Sequence, residues 1–220
     1  MIITIDGPSG SGKSSIAQVV AQKLGYYYLN SGFLYRGLAF ALLRAYGYTL
    51  QTVEGVSQDD VQKALGDMTY VYDEQGAHIW YCDKEITDHL KEVEVTKASS
   101  LIAKLLHVRE AIIPYQKNLA KKHDIIAEGR DMGSIVFPEA EHKFYVTADL
   151  PVRAERMRKD LLAKGEHVSE VDMVVMVQVR DMQDSTRVHG PLVQPAGAIH
   201  IDTTHGTVQE YAQYIINRIE

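Results

Sequence analysis

Cysteine, tryptophan and long apolar runs are scarce in this 220-residue chain, which has one cysteine and one tryptophan. The single cysteine, Cys82, has no partner for an internal disulfide and no surrounding pattern of metal ligands, so we expect a reducing compartment. No stretch approaches the roughly 20 consecutive apolar residues that span a bilayer, and no basic segment precedes an apolar one near the start. We therefore expect a cytoplasmic protein that does not have a membrane as its partner.

Positive charge is also in short supply. The chain has 23 lysines and arginines against 29 aspartates and glutamates, which gives a formal net charge of -6. Proteins that bind nucleic acid without regard to sequence need a broadly basic surface, so this balance excludes a nucleic acid polymer as the expected partner. Any basic site must be local, and we expect a monomer that acts on small molecules.

Short apolar runs alternate with helical patterns along most of the chain, which is typical of an α/β protein with a parallel sheet covered by helices. The length suits one such domain with a small insertion. The predicted sheet has five strands, which are Ile2–Asp6, Tyr26–Leu29, Ile125–Glu128, Lys143–Thr147 and Ile199–Asp202.

Helical patterns fill the intervals between these strands, and glycines stop several of them. Pro114 lies inside one pattern and lacks a backbone donor, so we expect a kink or a break there. Thr207 has the spacing to Glu210 that fits a capping box, which predicts the start of the last helix. The other predicted helices are Lys13–Leu24, Phe33–Tyr46, Val93–Lys122 (one helix or two), Val152–Lys164 and Glu170 to about Arg187.

One segment departs from the alternation of strands and helices. Thr69–Asp73 and Ala77–Cys82 are rich in aromatic and β-branched residues and flank Glu74-Gln75-Gly76, so they predict a β-hairpin. We therefore expect a small subdomain at about residues 48–92, inserted into a core made of residues 1–47 and 93–220.

The stretch from Gly7 to Ser14 reads G-P-S-G-S-G-K-S, which has the spacing G-x-x-x-x-G-K-[ST] between a predicted strand and a predicted helix. Glycines allow backbone N–H groups to converge on phosphate oxygens, and the helix directs its positive end at the same anion. Lys13 then reaches the β- and γ-phosphates, and Ser14 or Ser15 lies against a magnesium ion. A dinucleotide fingerprint would need glycine at position 15, which is serine. The remaining alternative is a plain glycine-rich turn with an ordinary exposed lysine.

A phosphate-binding loop does not identify the group that receives the γ-phosphate. The sequence has no N-K-x-D motif of the kind that reads guanine in GTPases. Its D-x-x-G match, Asp73–Gly76, falls on the predicted hairpin turn and is interpreted as that turn. A phosphate acceptor is therefore the feature to look for.

Arginines cluster at positions that suit such an acceptor. Arg36 and the pair Arg130-Asp131 each follow a predicted strand, at the edge where open α/β sheets bind ligands. A helical pattern places three further residues on one face, namely Arg180, Asp184 and Arg187, and Arg153 and Arg156 share a face in the same way. Guanidinium groups neutralise the charge that moves during phosphoryl transfer. For any one arginine, a solvated surface charge or an intrahelical pair such as Arg180 with Asp184 remains the alternative.

A series of motifs extends this pattern over nearly the whole chain, including the hairpin insertion. They are T-I-D-G-P-S-G-S-G-K at Thr4–Lys13, S-G-x-x-Y-R at Ser31–Arg36, A-S-S at Ala98–Ser100, V-R-E-A at Val108–Ala111, G-R-D-M-G-S-I-V-F-P at Gly129–Pro138, R-x-x-x-D-x-x-R at Arg180–Arg187 and P-L-V at Pro191–Val193. In these motifs and in their order, the chain resembles the bacterial cytidylate kinases, which are nucleoside monophosphate kinases.

The resemblance implies a P-loop nucleoside monophosphate kinase fold, in which the 48–92 insertion binds the monophosphate and residues of about 150–168 form a helical lid. It implies transfer of the γ-phosphoryl group of ATP, with Mg²⁺, to CMP or dCMP. The residues implied for ATP are Gly7, Pro8, Ser9, Gly10, Ser11, Gly12, Lys13, Ser14 and Ser15.

The resemblance also implies an acceptor site. Its acceptor phosphate would be held by Arg36, Arg130 and Arg187, its sugar by Arg180 and Asp184, and its cytosine by Ser100, Arg109 and Asp131. Ser31 and Tyr35 would complete the site. The residues implied in catalysis are Lys13, Arg130, Arg156 and Arg187, with Arg156 in the lid and Arg153 assisting it.

The chain departs from the pattern of these kinases at three places. Ser14-Ser15 stands where the kinases often have Gly-Thr or Ser-Thr, which leaves open which serine meets magnesium. Asn30 and Glu128 stand where aspartate is frequent. Two other functions remain open, namely phosphorylation of another small acceptor, such as UMP or a non-nucleotide alcohol, and a nucleotide-binding switch that transfers no phosphate.

Overall fold

The computed structural model describes residues 1–163 and 165–219, and the chain separates into two compact units. Unit 1 comprises residues 1–27 and the chain from residue 124 onward, and unit 2 comprises residues 28–123. The strands are β1 (Ile2–Asp6), β2 (Tyr27–Asn30), β3 (Met68–Asp73), β4 (Gly76–Tyr81), β5 (Lys84–Glu85), β6 (Ile125–Gly129), β7 (His142–Thr147) and β8 (Ile199–Asp202). The α-helices are α1 (Lys13–Leu24), α2 (Ser31–Arg44), α3 (Gln58–Gly66), α4 (Val93–Ile102), α5 (Leu106–Ala120), α6 (Leu150–Leu162), α7 (Glu170–Thr186) and α8 (Val208–Ile216).

The expected five-stranded parallel sheet is confirmed, with the strand order β2-β6-β1-β7-β8. The central strand β1 runs parallel to β6 on one side and to β7 on the other. Its side chains Ile3 and Ile5 are fully buried, as expected for a strand covered on both faces. In this register Asp6 lies opposite Gly129 on β6 and Tyr145 on β7. The carboxyl ends of these strands are therefore level, which brings the segments that follow β1 and β6 to one edge of the sheet.

Helices of unit 1 cover this sheet with apolar faces. Helix α1 buries Ile16, Ala17, Val20 and Ala21. These residues lie on one face of the helix because they are one, three or four positions apart. Helix α8 packs beside α1. As predicted, Thr207 and Glu210 form a capping box at the start of α8. Helices α6 and α7 pack on each other through Ala154, Met173 and Val177.

Unit 2 contains the predicted hairpin. Strands β3 and β4 are antiparallel, with Met68 opposite Tyr81 and Asp73 opposite Gly76, so the D-x-x-G match is a turn. The short strand β5 extends the hairpin after a turn at Cys82 and Asp83, both of which have a positive φ, and Cys82 is exposed. The predicted 48–92 subdomain lies inside unit 2, which also contains α2, α4 and α5. As a functional division it remains a prediction.

The sequence analysis expected a kink or a break at Pro114; the break is wrong, and the kink stays a prediction. Helix α5 continues through Pro114, and the chain interrupts the helical pattern earlier, at residues 103–105 between α4 and α5. Proline removes the hydrogen bond to the carbonyl of Glu110, four residues earlier, and both Pro114 and Glu110 are exposed, which allows water to bind that carbonyl. The other helix boundaries differ from the predictions by a few residues. Lys164, the expected end of the helix that is now α6, lies outside the described residues.

Across residues 1–163 and 165–219, no helix combines the length and the apolar character that a membrane span requires.

Candidate active site

The phosphate loop of unit 1 follows β1 and leads into α1, as the sequence predicts. Gly10 and Gly12 have φ values of +73° and +82°, which L residues rarely adopt. A β-carbon on Gly10 would also lie 2.7 Å from the carbonyl oxygen of Arg153, and one on Gly7 would collide with the carbonyl oxygen of Val146. Glycine is therefore required at position 10 for two reasons, backbone conformation and close approach.

Lys13 is buried at the start of α1, and its Nζ donates to the carbonyl oxygen of Pro8 at 3.1 Å. Burial, together with the nearby Arg130 guanidinium, lowers the pKa of Lys13 to about 7. Glu128, Asp184 and Asp6 oppose this shift. A phosphate bound in the loop would supply further negative charge and restore the cationic form of Lys13.

The two candidate magnesium ligands differ in their surroundings. The hydroxyl of Ser14 donates to Oε1 of the buried Glu128 at 3.0 Å, whereas Ser15 is exposed. A hydroxyl beside a carboxylate is a set of hard oxygen donors and fits Mg²⁺. The described residues contain no group of three or more histidine, cysteine or acidic side chains that would hold a metal by themselves. These oxygens therefore suit a magnesium ion that is bound mainly through phosphate oxygens and water.

Three of the predicted acceptor arginines surround one carboxylate in unit 1. Asp184 accepts from Nε of Arg130 at 2.8 Å and lies 3.4 Å from Nε of Arg180 and 3.9 Å from Nη1 of Arg187. Burial alone would raise the pKa of Asp184, but the guanidinium groups outweigh it and hold that pKa below its usual value. Asp131, also buried, lies 3.8 Å from Nη2 of Arg187. The result is a compact, largely buried cluster of arginines around two carboxylates.

Arg130 connects this cluster to the phosphate loop. Its Nη2 donates to Oγ of Ser9 at 2.8 Å, while its Nε binds Asp184. Arg130 therefore spans from a loop residue predicted to bind ATP to a carboxylate predicted to bind the acceptor sugar. Within unit 1, the two predicted anion sites are neighbours.

The two arginines of α6 also contact the phosphate loop. Arg153 donates to the carbonyl oxygen of Ser9 at 3.1 Å and to Oδ2 of Asp181 at 2.5 Å. Arg156 donates to the carbonyl oxygens of Gly10 at 3.4 Å and of Thr203 at 2.6 Å. Arg153 thus joins the loop to α7, and Arg156 joins it to the end of β8.

Two residues of the site were not singled out by the sequence analysis. Thr203 is buried, and its hydroxyl oxygen lies 2.7 Å from the carbonyl oxygen of Ser11 and 3.2 Å from the Arg156 donor. Asp6 is fully buried and accepts backbone hydrogen bonds from Met132 and Gly133. Both residues lie at the carboxyl ends of parallel strands, and that position is the signal that would have found them.

The remaining predicted acceptor residues belong to unit 2. Arg36 donates to the carbonyl oxygen of Gly32 at 2.9 Å, and its guanidinium lies 5.2 Å from the centre of the Phe33 ring. The guanidinium of Arg109 lies 5.9 Å from the centre of the Tyr35 ring, and Arg109 donates to the carbonyl oxygen of Ala103. Ser31 opens α2, and Ser100 on α4 donates to the carbonyl oxygen of Thr96. Unit 2 therefore places Tyr35 beside Arg109, and backbone carbonyl groups hold Arg36 and Arg109 by hydrogen bonds.

Asn30 has a local role at the start of α2. Its Oδ1 accepts from the N–H of Phe33 at 3.1 Å and caps the helix, and its Nδ2 donates to the Tyr28 hydroxyl at 3.1 Å. Its backbone N–H donates to the hydroxyl of Tyr70 on the hairpin at 2.9 Å. An aspartate would cap the helix equally well but has no amide donor for Tyr28. Asparagine is thus suited to this tyrosine-rich surrounding.

Comparisons with known proteins show the family and the fold of this chain. The sequence model of the cytidylate kinase family matches residues 3–220. The chain is 37% identical to a cytidylate kinase of Marinomonas sp. (strain MWYL1), covering 97% of this chain and 93% of that protein. It is 36% identical to a cytidylate kinase of Bdellovibrio bacteriovorus, covering 100% and 99%. A crystal structure of an uncharacterized protein from Eubacterium ventriosum shares the fold, with a TM-score of 0.50 at 13% identity, covering 100% of this chain and 97% of that chain.

Proposed function

Because the chain belongs to the cytidylate kinase family, we propose that it transfers the γ-phosphoryl group of MgATP to CMP or dCMP, which yields ADP and CDP or dCDP. One observation carries this proposal: Arg130 hydrogen-bonds both Ser9 of the phosphate loop and Asp184 of the arginine cluster. A donor phosphate and an acceptor phosphate need neighbouring cationic sites for a group to pass between them.

The donor is held by residues 7–15. Backbone N–H groups of the loop and the N-terminus of α1 bind its phosphates, and Lys13 contacts the β- and γ-phosphates. Ser14, paired with Glu128, is the serine that would help to hold a magnesium ion, since Ser15 is exposed. When bound, Mg²⁺ neutralises negative charge on the phosphates.

The acceptor phosphate is held by Arg36, Arg130 and Arg187. Before it binds, Asp184 neutralises Arg130 and Arg187, so these guanidinium groups are already oriented in a buried place. On binding, the acceptor phosphate replaces some of the hydrogen bonds that Arg130 and Arg187 make with Asp184. Arg180 and Asp184 bind the sugar hydroxyls. The arginines are thus preorganised by a carboxylate, which lowers the reorganisation needed for transfer.

The base is read by Ser100, Arg109 and Asp131. Cytosine presents an amino donor at C4 beside a ring acceptor and a carbonyl oxygen, which matches a carboxylate, a guanidinium and a hydroxyl. Uracil has a carbonyl oxygen at C4 and would leave Asp131 without its donor, at a cost of about 1–3 kcal/mol in a buried site.

Transfer itself requires no covalent intermediate and no general base. The acceptor phosphate is already nucleophilic, so positioning and charge compensation by Lys13, Arg130, Arg156 and Arg187 supply the catalysis. Arg156 acts in this way once it exchanges the carbonyl of Thr203 for a phosphate oxygen. We place the enzyme in the cytoplasm, where its nucleotide substrates are found.

The direct test is a coupled assay of ADP production with CMP, dCMP, UMP and AMP as acceptors. We expect turnover with CMP and dCMP, and a loss of about a hundredfold or more in Lys13→Ala. Lys23→Ala, on the exposed part of the same helix, is the matched control and should keep full activity. Absence of turnover with CMP and dCMP would refute the proposal, and a preference for UMP would refute the assignment of the base-reading residues.

A further inference from the structure

Asp6 forms a specific link between two strand ends of unit 1. It is the last residue of β1 and directly precedes the phosphate loop, and its side chain is fully buried. Its Oδ1 accepts from the backbone N–H of Met132 and its Oδ2 from that of Gly133, each at 2.8 Å. Two consecutive amides are thus held by the two oxygens of one carboxylate.

These amides open a single π-helical turn, Met132–Val136, that follows Arg130 and Asp131 directly. The carbonyl oxygen of Asp131 accepts from the N–H groups of Ile135 and Val136, at 3.0 and 3.1 Å, which closes the turn. Such turns are rare and occur frequently at functional sites. Because Asp6 binds the first two amides of the turn, it fixes the backbone from which Arg130 and Asp131 extend.

Only a carboxylate can serve both amides. A carboxylate accepts at both oxygens, whereas asparagine, or a protonated aspartic acid, has one accepting oxygen and one donating group. A donor facing an amide N–H leaves that N–H without an acceptor in a buried place. The turn therefore loses one of its two attachments whenever position 6 is neutral.

The chain keeps this carboxylate although burial disfavours the charge. Burial raises the pKa of Asp6 to about 7, and the nearby Asp131 raises it as well, while the two backbone hydrogen bonds and Lys13 oppose the shift. From β7, Tyr145 lies opposite Asp6 in the sheet register. A buried charge retained in this setting indicates a function beyond stability.

We propose that Asp6 is a positioning residue for the acceptor nucleotide, which holds the 132–136 turn so that Arg130 and Asp131 present their side chains to CMP. Asp6 itself touches no substrate. The inference rests on the proposed function, because it takes Arg130 and Asp131 to contact CMP.

The first test compares Asp6→Asn with the wild type at about pH 8, where Asp6 is charged. We expect the KM for CMP to rise about tenfold or more, while the KM for ATP changes less than about twofold. Discrimination between CMP and UMP should fall, because Asp131 is no longer held. Glu139→Gln, which changes an exposed carboxylate in the segment before β7, is the isosteric control and should behave as the wild type.

The second test is the pH dependence of CMP affinity, measured by calorimetry. At about pH 5.5 wild-type Asp6 is protonated and resembles asparagine in its donors and acceptors, so the dissociation constants of the two enzymes should agree within about twofold. The dissociation constant of the Asp6→Asn variant should exceed that of the wild type by about tenfold once the pH reaches about 8. Ionisation of the CMP phosphate is common to both enzymes and cancels in the ratio of the two constants.

A constant ratio across pH, or equal weakening of ATP and CMP, would show that Asp6 serves stability alone and would overturn the inference. If Asp6→Asn does not fold, wild-type NMR decides. The amide proton signals of Met132 and Gly133 should then titrate together with a midpoint near the Asp6 pKa of about 7, and signals that do not move would overturn the inference. Wild-type turnover with CMP is measured separately, so failure of the proposed function is distinguishable from failure of this inference.

Discussion

Glycines with the same backbone conformation have different surroundings in this protein. Gly10 and Gly25 have φ values of +73° and +68°, but only Gly10 faces another backbone, that of Arg153. A side chain at either position is disfavoured by its conformation, and a side chain at position 10 also collides. The phosphate loop is therefore held in shape from outside as well as by its own sequence.

This difference predicts a matched pair of variants. Gly25→Ala should lower the free energy of unfolding by about 1–2 kcal/mol through backbone strain alone. Gly10→Ala adds the collision with Arg153 and should lower it by about 3 kcal/mol or more, with weaker ATP binding. Urea denaturation and ATP titration measure both effects. Equal losses in the two variants would mean that the loop moves freely away from α6.

The pKa of Asp6 predicts how its charge affects stability. Its pKa in the folded protein, about 7, lies above the ordinary value of 3.8, so the folded state binds this proton more tightly than the unfolded state. This contribution makes the free energy of unfolding fall as the pH rises from about 4 to about 7, by roughly 4 kcal/mol at most. An asparagine at this position would not titrate, so the Asp6→Asn variant lacks the contribution.

Asp6→Asn should therefore gain stability relative to the wild type between about pH 5 and pH 8. Urea denaturation of both proteins at several pH values measures the difference. A difference that stays constant over this range would contradict the raised pKa. A gain in stability together with weaker CMP binding would identify position 6 as one where function opposes stability.

At the scale of elements, proline has opposite consequences in α5 and α6. Pro114 lies in the interior of α5, where it removes a hydrogen bond, whereas Pro151 lies in the first turn of α6, where no intrahelical donor is needed. Proline in α5 lies where both Pro114 and Glu110, whose carbonyl it frees, are exposed, so water can replace the lost hydrogen bond.

Pro114→Ala should therefore stabilise the protein, by about 1–3 kcal/mol. Pro151→Ala should leave the free energy of unfolding within about 0.5 kcal/mol of the wild type, or lower it slightly. Thermal and urea denaturation of both variants test this contrast. An unchanged free energy of unfolding in Pro114→Ala would indicate that the proline does not destabilise helix α5.

The elements show what the sequence can predict and what it cannot. The central strands were predicted to within one or two residues, because buried parallel strands appear as apolar runs bounded by turn residues. The interval Val93–Lys122 was predicted as one helix or two, but the position of the break between α4 and α5 was not predicted, because residues 103–105 contain neither glycine nor proline. Local patterns therefore located the strands, but proline alone gave the wrong position for the helix break.

The candidate site was predicted where a motif is continuous in sequence and missed where partners are distant. The phosphate loop was found from its spacing, Arg36 and Arg130 from their places after predicted strands, and Arg109 from the resemblance to cytidylate kinases, although their roles remain predictions. Asp6 binds amides 126 and 127 residues away, and Thr203 binds the carbonyl of Ser11, 192 residues away. Such contacts depend on the order of strands in the sheet, which periodicity does not reveal.

At the scale of the whole molecule, the predicted ATP residues all belong to unit 1, whereas the predicted CMP residues are divided between the two units. Ser31, Tyr35, Arg36, Ser100 and Arg109 belong to unit 2, and the others belong to unit 1. A ligand that binds both sets should stabilise both units, and a ligand that binds one set should stabilise one.

Hydrogen exchange with mass spectrometry measures this directly. ATP alone should slow exchange in peptides around residues 7–15, and CMP alone should slow it around residues 31–36 and 100–109 as well as around 129–131. Protection by CMP confined to unit 1 would contradict the assignment of Arg36 and Arg109. The Lys13→Ala variant should lose the ATP response and keep the CMP response.

The single cysteine gives the protein a built-in attachment point. Cys82 is exposed at the turn between β4 and β5, so a thiol-reactive fluorophore should modify unit 2 at one defined position without any prior engineering. The emission of that label would then report CMP binding to unit 2.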